Sequence, residues 1–419
     1  MMCKTHRSAI IRGIFGDFPA MTQAETPYRI EPCLLESYPV QLGDVIAELM
    51  GASTTLGHRL HPRTAASLAE LIRVMNCYYS NLIEGHNTRP RDIERALADE
   101  LDANQARRDL QLEARAHIRV QREIDARFTA GELGEPASLE FILWVHRAFY
   151  AQAPEPMLRV EHESGAYLLV PGELRTDPKH DVVVGRHQPP TSAHVRTFMN
   201  YFEQRYRFAS LGPSARIVAM AAAHHRLNYI HPFVDGNGRV SRLMSHAMAL
   251  QAGIGAHGLW SISRGLARGL QDAGEYKRML DQADSPRRGD LDGRGNLSQQ
   301  ALVELVTWFC GVALDQVRFM TDLFNLEQLA ERLDSYVRNV LHASEAASAL
   351  VTTALHAGEI PRGAAARITG RPERTAREVL SKLTDTGLLV SDTPKGPVRL
   401  HFSAASADIL FPRLFPSQL

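Results

Sequence analysis

The chain has 419 residues, and its 47 Lys and Arg residues are balanced by 47 Asp and Glu residues. This balance excludes a global attraction to nucleic acid or acidic lipid, and no apolar stretch approaches the roughly 18 residues that span a bilayer. The hydrophobic content of 44% is ordinary for a globular protein, and the length suffices for two or three domains outside a membrane.

The first 39 residues are predicted to be a partly disordered leader. They lack the apolar region and cleavage pattern of a signal peptide, and Met21 offers a second start position. The cysteines are scattered without a CxxC pair, so they fit neither a zinc site nor a disulfide framework and indicate a reducing cytoplasm. They are Cys3, Cys33, Cys77 and Cys310.

A helical region is predicted over residues 40–130, with its clearest helix over residues 64–84. One stripe of this helix is apolar and comprises Leu68, Leu71, Ile72, Met75, Tyr79 and Leu82. Gly85 is typical of the position after a helix end. Glu84 then lies at the negative end of the helix dipole, where a carboxylate is disfavoured. Either Glu84 is exposed or satisfied by a local N–H group, or a cationic partner lies elsewhere in the chain.

Two further elements are predicted before the most informative run. Residues 139–150 form a helix, and residues 182–190 hold three valines followed by a glycine and two prolines. This second pattern predicts a short β-hairpin, with residues 167–170 as its partner strand. The alternative is an ordinary surface hairpin without a functional role.

Residues 231–242 read His-Pro-Phe-Val-Asp-Gly-Asn-Gly-Arg-Val-Ser-Arg. A helix is predicted over residues 215–229, and Pro232 cannot continue it. Residues 235–238 are typical of a turn, and a second helix is predicted over residues 239–251. Unpaired N–H groups at the start of such a helix form an anion site.

The side chains of this run supply the other parts of a site for nucleotide chemistry. Arg239 and Arg242 are spaced to share one face of the first helical turn, and arginine suits bidentate contact with phosphate. Asp235 could hold Mg²⁺ against the phosphates, and a neutral His231 is a suitable base for a hydroxyl nucleophile. Each residue alone is more often structural, as a helix cap, a turn or a solvated arginine. Their conjunction at fixed spacing favours a site.

The remainder of the chain is predicted to be helical until the tail. Residues 285–295 form a loop whose ligand spacing excludes calcium, and residues 298–341 are a long amphipathic stretch of one or two helices. The tail combines two helices, over residues 363–370 and 372–383, with two strands. These strands cover residues 387–390 and 398–402.

Helix–turn–helix followed by a hairpin resembles a winged helix. Arg371, Arg374 and Arg377 would lie on its exposed face, placed for DNA. Glu373 and Glu378 alternate with them and leave a thin basic face. Protein–protein contact, including a homodimer, is therefore favoured over DNA for this module.

The run over residues 231–242 matches every defining position of His-Pro-Phe-x-Asp-Gly-Asn-Gly-Arg-x-x-Arg. The chain thereby resembles the Fic (filamentation-induced-by-cAMP) domain family over about residues 40–320. The resemblance implies a mainly α fold, with a helical Fic core and a small β-hairpin flap, and a winged helix-turn-helix is a common C-terminal attachment. It also implies transfer of AMP from ATP to a Tyr, Thr or Ser hydroxyl of a target protein.

The resemblance assigns roles position by position. His231 would deprotonate the target hydroxyl, and Asp235 would bind Mg²⁺. Asn237 and Gly238 would hold the α- and β-phosphates, and Arg239 and Arg242 would contact the outer phosphates. The other expected nucleotide-binding residues are Gly236, Val240, Ser241, Val184, Gly185, Arg186, His187 and Tyr276.

A second motif also resembles the family. Ser80, Glu84 and Gly85 fit its inhibitory pattern Ser-x-x-x-Glu-Gly. The resemblance implies that Glu84 pairs with Arg242 and prevents productive binding of the outer phosphate. Since the motif precedes the catalytic run, the chain resembles the class with an N-terminal inhibitory helix.

The predicted organisation has five parts: leader 1–39, N-terminal helical region 40–130, catalytic core 131–320, linking helices 321–345 and winged-helix module 346–419. Three functions stay open at this point. The first is an autoinhibited protein adenylyltransferase, and the second is removal of AMP, with Glu84 positioning water and His231 acting as acid. The third is a DNA-binding regulator. A phosphotransferase of the Doc type is disfavoured, because those proteins carry Lys where this chain has Gly238.

Overall fold

The computed structural model describes residues 25–162 and 165–415. Within these ranges the fold is mainly α, as predicted, with two short antiparallel strand pairs. Met21 and Cys3 lie outside the described residues. None of the described helices is both long and apolar enough to cross a membrane.

The helices follow one another from residue 40 to residue 410. The N-terminal region holds α1 (Val40–His58), α2 (Pro62–Ile83), α3 (Pro90–Leu97) and α4 (Gln105–Thr129). The middle of the chain holds α5 (Leu139–Tyr150), α6 (Glu155–Leu158), α7 (Val195–Arg205), α8 (Pro213–Ile230), α9 (Asn237–Gln251), α10 (Ile262–Arg268) and α11 (Glu275–Ala283). The last third holds α12 (Gln299–Leu323), α13 (Leu326–Ser335), α14 (Glu345–Ala357), α15 (Ala365–Thr369), α16 (Glu373–Asp385) and α17 (Ala404–Leu410).

Helix α8 lies at the centre of the fold. Its predicted inward residues Ile217, Met220, Ala221 and Leu227 are fully buried. It packs against α7, α9 and α12, and α12 also packs along α1. A helix that is apolar on nearly all sides belongs inside a core. The turn that follows α8 therefore has a rigid support.

The small hairpin differs from the prediction. Strand β1 (Arg159–His162) pairs with β2 (Gly165–Leu168), and Val160 lies opposite Tyr167. The predicted pairing of residues 167–170 with residues 182–190 is wrong. A partner close in sequence costs less loop-closure entropy than a distant one. Residues 182–190, the flap segment, instead make a tight turn in which Val184 and His187 exchange backbone hydrogen bonds of 2.9 and 3.0 Å.

The two predicted helices of the tail are present as α15 and α16, and α14 precedes them. They are followed by β3 (Leu389–Val390) and β4 (Arg399–Leu400), which pair antiparallel. On α16, Arg374 and Arg377 are exposed and pair with glutamates of their own helix at 3.2 and 2.9 Å. The winged-helix assignment and its partners, DNA or a second copy, stay predictions.

The tail packs on α2. The Thr64 hydroxyl donates to the Leu355 carbonyl oxygen at 2.8 Å, and the Tyr79 hydroxyl donates to the Leu414 carbonyl oxygen at 3.1 Å. Leu414 is fully buried. The C-terminal end thus holds the helix that ends at Glu84.

Part of the predicted leader is packed rather than loose. Ile30 and Cys33 are fully buried, and the Glu31 carboxylate accepts hydrogen bonds from Tyr201 and Arg205. The described cysteines, at positions 33, 77 and 310, are buried and free, which agrees with a framework without disulfides over the described residues.

Candidate functional site

The predicted run forms the turn between α8 and α9. His231 adopts a left-handed backbone, with φ 50° and ψ 60°, and ends α8. Gly236, with φ 83°, begins α9. A Cβ atom at Gly236 would lie 2.8 Å from the Tyr150 hydroxyl oxygen. Both the backbone conformation and the close approach of Tyr150 therefore require glycine at position 236.

Asn237 holds this turn with its side chain. Its Oδ1 accepts from the Phe233 N–H and its Nδ2 donates to the Phe233 carbonyl oxygen, each at 2.9 Å. Asn237 is predicted to hold phosphate, but its side-chain amide is directed into its own loop. Any phosphate contact at Asn237 therefore falls to its backbone N–H, in the first turn of α9.

His146, to which the sequence assigned no role, packs against the loop. The ring of His146 stacks on Phe233 with centroids 3.9 Å apart and planes 4° apart. Its Nδ1 accepts from the Gly172 N–H at 2.8 Å, so Nε2 carries the proton and donates to the Asp235 carbonyl oxygen at 3.3 Å. Burial lowers the pKa of His146 to about 4, which keeps the ring neutral.

The electrostatics of His231 suit a base. Burial, with the positive charge of Arg175 as the second cause, lowers the pKa of His231 to about 4. The Asn228 backbone carbonyl holds one ring nitrogen. Near neutral pH the ring is uncharged, and its other nitrogen has a lone pair available to take a proton.

The two arginines of the run are buried and face acidic partners. Arg242 donates through Nη2 to Glu84 Oε1 at 2.7 Å and through Nε to the Ser80 hydroxyl oxygen at 2.9 Å. Arg239 pairs with Glu113 of α4, and its Nη2 lies 3.7 Å from Asp235 Oδ2. Each guanidinium is neutralised within the protein in this state, and the contacts of Arg239 and Arg242 with the outer phosphates stay predictions.

The predicted inhibitory residues lie at the end of α2, beside α9. The Gly85 N–H donates to the Leu82 carbonyl oxygen and the His86 N–H to the Asn81 carbonyl oxygen, which closes the helix end. The carboxylate of Glu84 lies over the first turn of α9, where a Cβ atom at Gly238 would lie 2.5 Å from Glu84 Oε1. Burial alone would raise the pKa of Glu84, but Arg242 and Arg239 outweigh it and hold the pKa below its usual value.

A cavity of about 570 Å³ lies between α2, α4, α5 and the run. Its charged lining includes Glu84, His86, Glu113, Asp235 and Arg239. His86 and Glu113 were not singled out from the sequence. His86 Nδ1 lies 3.1 Å from Glu113 Oε2, and the hydrogen bond that this carboxylate accepts raises the pKa of His86.

Asp235 fits the role of a Mg²⁺ ligand. Its side chain is 40% exposed at the edge of this cavity, and its Oδ2 accepts from the Tyr150 hydroxyl at 3.2 Å. The described residues hold no cluster of three or more His, Cys, Asp or Glu side chains placed for a metal ion. Mg²⁺ is often held by one or two carboxylates together with substrate phosphates, so one carboxylate beside the start of α9 suffices.

The flap segment lies on the other side of His231. The ring of His187 packs on Tyr229 with centroids 4.1 Å apart, and its Nε2 lies 2.7 Å from the Tyr229 carbonyl oxygen. Arg186 points outward and pairs with Asp281. Val184 is 42% exposed, and Gly185, with φ 61°, lies in the turn between Val184 and His187.

Three predicted nucleotide-binding side chains face the core instead. Val240 is buried, and the buried Ser241 hydroxyl donates to the Gly238 carbonyl oxygen at 2.9 Å. Tyr276 is also buried, and its hydroxyl lies 2.8 Å from His224 Nε2. None of the three lines the described cavity. Their side chains therefore hold the helices behind the site, and the assignment of the three residues to the nucleotide stays a prediction.

Sequence comparison places this region in a known family. Residues 136–249 match the model of the Fic/DOC family. The protein adenylyltransferase Fic of Aedes aegypti is 40% identical over 84 residues, which are 20% of this chain and 16% of that protein. The one from Drosophila erecta is 37% identical over 82 residues, with the same coverage. The chain spans about a sixth of the length of these curated relatives.

Solved structures of similar proteins were also found. A Fic family protein from Desulfovibrio desulfuricans aligns over 90% of this chain and 99% of its own, with 18% identity and a TM-score of 0.48. Fic-1 from C. elegans aligns over 68% of this chain and 73% of its own, with 16% identity and a TM-score of 0.49. At these scores the likeness carries no argument about function. Residues 136–249 of this chain therefore form a domain of the Fic/DOC family.

Proposed function

We propose that this protein transfers AMP from ATP to a Tyr, Thr or Ser hydroxyl of a target protein. The observation that carries the proposal is the placement of a neutral His231 at one end of a rigid loop whose other end opens α9. The curated relatives named as protein adenylyltransferases support it for the region they share with this chain.

The reaction is an in-line substitution at the α-phosphorus. The target oxygen forms a new bond to phosphorus, the bond to the β-phosphate oxygen breaks, and pyrophosphate leaves. His231 takes the hydroxyl proton on the ring nitrogen that Asn228 leaves available. The N–H groups at the start of α9 stabilise the charge that develops on the phosphate oxygens.

Asp235 would hold the Mg²⁺ ion, which supplies charge neutralisation for the phosphates. Tyr150 orients the Asp235 carboxylate from one side. The cavity beside α4 is lined by Asp235 and Arg239, so it would offer the triphosphate room next to both side chains.

Glu84 restrains the enzyme in this proposal. Its carboxylate lies where an anion would meet the first turn of α9, and it neutralises Arg242. Productive binding of ATP therefore requires Glu84 to move. Doc-type phosphotransfer stays disfavoured, because this chain has Gly238 where those proteins carry Lys.

The proposal is tested by incubating the Glu84→Gly protein with ATP and cell lysate and then searching for AMP-modified peptides by mass spectrometry. We expect modified peptides with Glu84→Gly, few with the unchanged protein, and none with Glu84→Gly/His231→Ala. Silence of all three proteins would overturn the proposal. Release of AMP from a modified protein by the unchanged chain, lost in Glu84→Gly, would favour the reverse activity.

A further inference from the structure

Arg175 lies at the base of the flap segment and is fully buried, although the sequence did not single it out. Its Nε donates to the His231 carbonyl oxygen at 2.7 Å, and its Nη2 donates to the Ile230 carbonyl oxygen at 3.2 Å. Its backbone N–H donates to the Pro232 carbonyl oxygen at 2.9 Å. One residue therefore binds three consecutive carbonyl groups at the end of α8.

These carbonyl groups need partners from outside the helix. The last carbonyls of a helix have no intrahelical donor, and a cation there also complements the helix dipole. The left-handed backbone of His231, with φ 50°, is strained for a residue other than glycine. The contacts of Arg175 offset this strain and fix the direction in which the imidazole leaves the backbone.

The same guanidinium also joins both ends of the flap. Nη1 donates to Asp181 Oδ1 at 2.9 Å, and Nη2 donates to the Pro190 carbonyl oxygen. Asp181 Oδ1 in turn accepts from the Ser192 N–H at 2.7 Å. The start and the end of the flap and the His231 turn therefore meet at one side chain.

We propose that Arg175 is a positioning residue for AMP transfer. Its side chain holds the flap and the His231 turn together and so fixes the distance between the His231 ring and the target hydroxyl. This inference rests on the proposed function. Arg175 is fully buried, so its guanidinium is not placed to contact a nucleotide or a target. It acts through the backbone that carries the imidazole and through the loop edge beside which the target segment would lie.

The charge of Arg175 provides a readout that packing alone would not give. Besides burial, the groups that shift the pKa of His231 are Arg175, Asp235, His187 and the Asn228 carbonyl. Arg175 and His187 lower the pKa of His231, whereas Asp235 and Asn228 raise it. Loss of the Arg175 charge should therefore raise this pKa, and a lysine should preserve the lowered value while losing the bidentate geometry.

The test compares Arg175→Gln and Arg175→Lys in the Glu84→Gly protein. We expect each to bind ATP within about twofold of the parent by calorimetry and to transfer AMP about 100-fold more slowly, as for a base displaced by about 1 Å. A proton NMR titration of His231, which needs no transfer chemistry, should show a raised pKa for Gln and little change for Lys.

Arg216→Gln is the matched control, because Arg216 Nε also donates to two backbone carbonyls, those of Phe208 and Leu211, away from the site. It should lower stability and leave the transfer rate and the His231 titration unchanged. Equal rates for the parent and both Arg175 variants would overturn the inference, as would a loss matched by Arg216→Gln. If the Glu84→Gly parent transfers no AMP, the proposed function fails. The inference about Arg175 is tested separately, because an unchanged His231 pKa in Arg175→Gln would refute the effect of Arg175 on His231.

Discussion

Replacing Glu84 by glycine should weaken the folded protein and tighten its binding of ATP. Arg242 is 1% exposed and Glu84 is 31% exposed, so the replacement leaves a buried cation without its carboxylate. Breaking a fully buried pair costs about 3–5 kcal/mol, and the partial exposure of Glu84 reduces the expected loss to about 1–3 kcal/mol. Urea unfolding without nucleotide measures this loss.

The gain in affinity has an electrostatic cause. A phosphate charge about 4 Å from the Glu84 carboxylate is disfavoured by about 4 kcal/mol at an effective dielectric constant of about 20. Solvent screening reduces this to about 1–3 kcal/mol, so ATP should bind about tenfold to hundredfold more tightly to Glu84→Gly. Isothermal titration calorimetry measures the change.

Two controls separate charge from shape. Glu84→Gln keeps the size of the side chain, so a gain in affinity there reports the removed charge. Adenosine carries no phosphate and should bind equally to all three proteins. Equal ATP affinities of Glu84→Gly and the unchanged protein would refute the reasoning.

Three further predictions concern pH and the loop. Because the pKa of His231 is about 4, the rate of AMP transfer by Glu84→Gly should fall less than twofold from pH 8 to pH 6. A base with the ordinary histidine pKa would make the rate fall about fourfold, and an assay with labelled ATP distinguishes the two results. Burial lowers the pKa of four histidines to about 3 or 4: His117, His146, His224 and His231. Below about pH 6.5 the unfolded chain binds more protons than the folded one, so the free energy of unfolding should decrease by up to about 2 kcal/mol per histidine at pH 5. Equal urea midpoints at pH 7 and pH 5 would contradict this. Gly236→Ala should cost about 1–3 kcal/mol in urea unfolding, whereas Gly134→Ala, with open space around it, should cost less than half as much.

Much of the site could be predicted from the sequence, because helix ends and motif residues depend on neighbours close in the chain. The bounds of α5 match the prediction, and the end of α8 follows from Pro232. The contact between Glu84 and Arg242 was expected from the unfavourable position of a carboxylate at a helix end and from the resemblance. Each of these features depends on residues within one or two turns, or on a motif of fixed spacing.

Contacts between distant segments were not predictable in the same way. Arg175 hydrogen-bonds to the His231 turn, 56 residues further along the chain, and Glu113 of α4 forms an ion pair with Arg239 of α9. Their own neighbours in sequence carry no signal for either contact. The resemblance assigns Asn237 and Tyr276 to the nucleotide, but the packed fold uses their side-chain polar groups internally. Such uses depend on tertiary packing, which residue type alone does not determine.

The most direct test of the account follows which phosphate of ATP becomes attached to protein. The Glu84→Gly protein is incubated in parallel with ATP labelled at the α-phosphate and with ATP labelled at the γ-phosphate, and protein-bound label is then measured. The account predicts label from the α-phosphate alone, abolished by His231→Ala. Label from the γ-phosphate, or label from the α-phosphate that survives His231→Ala, would contradict it.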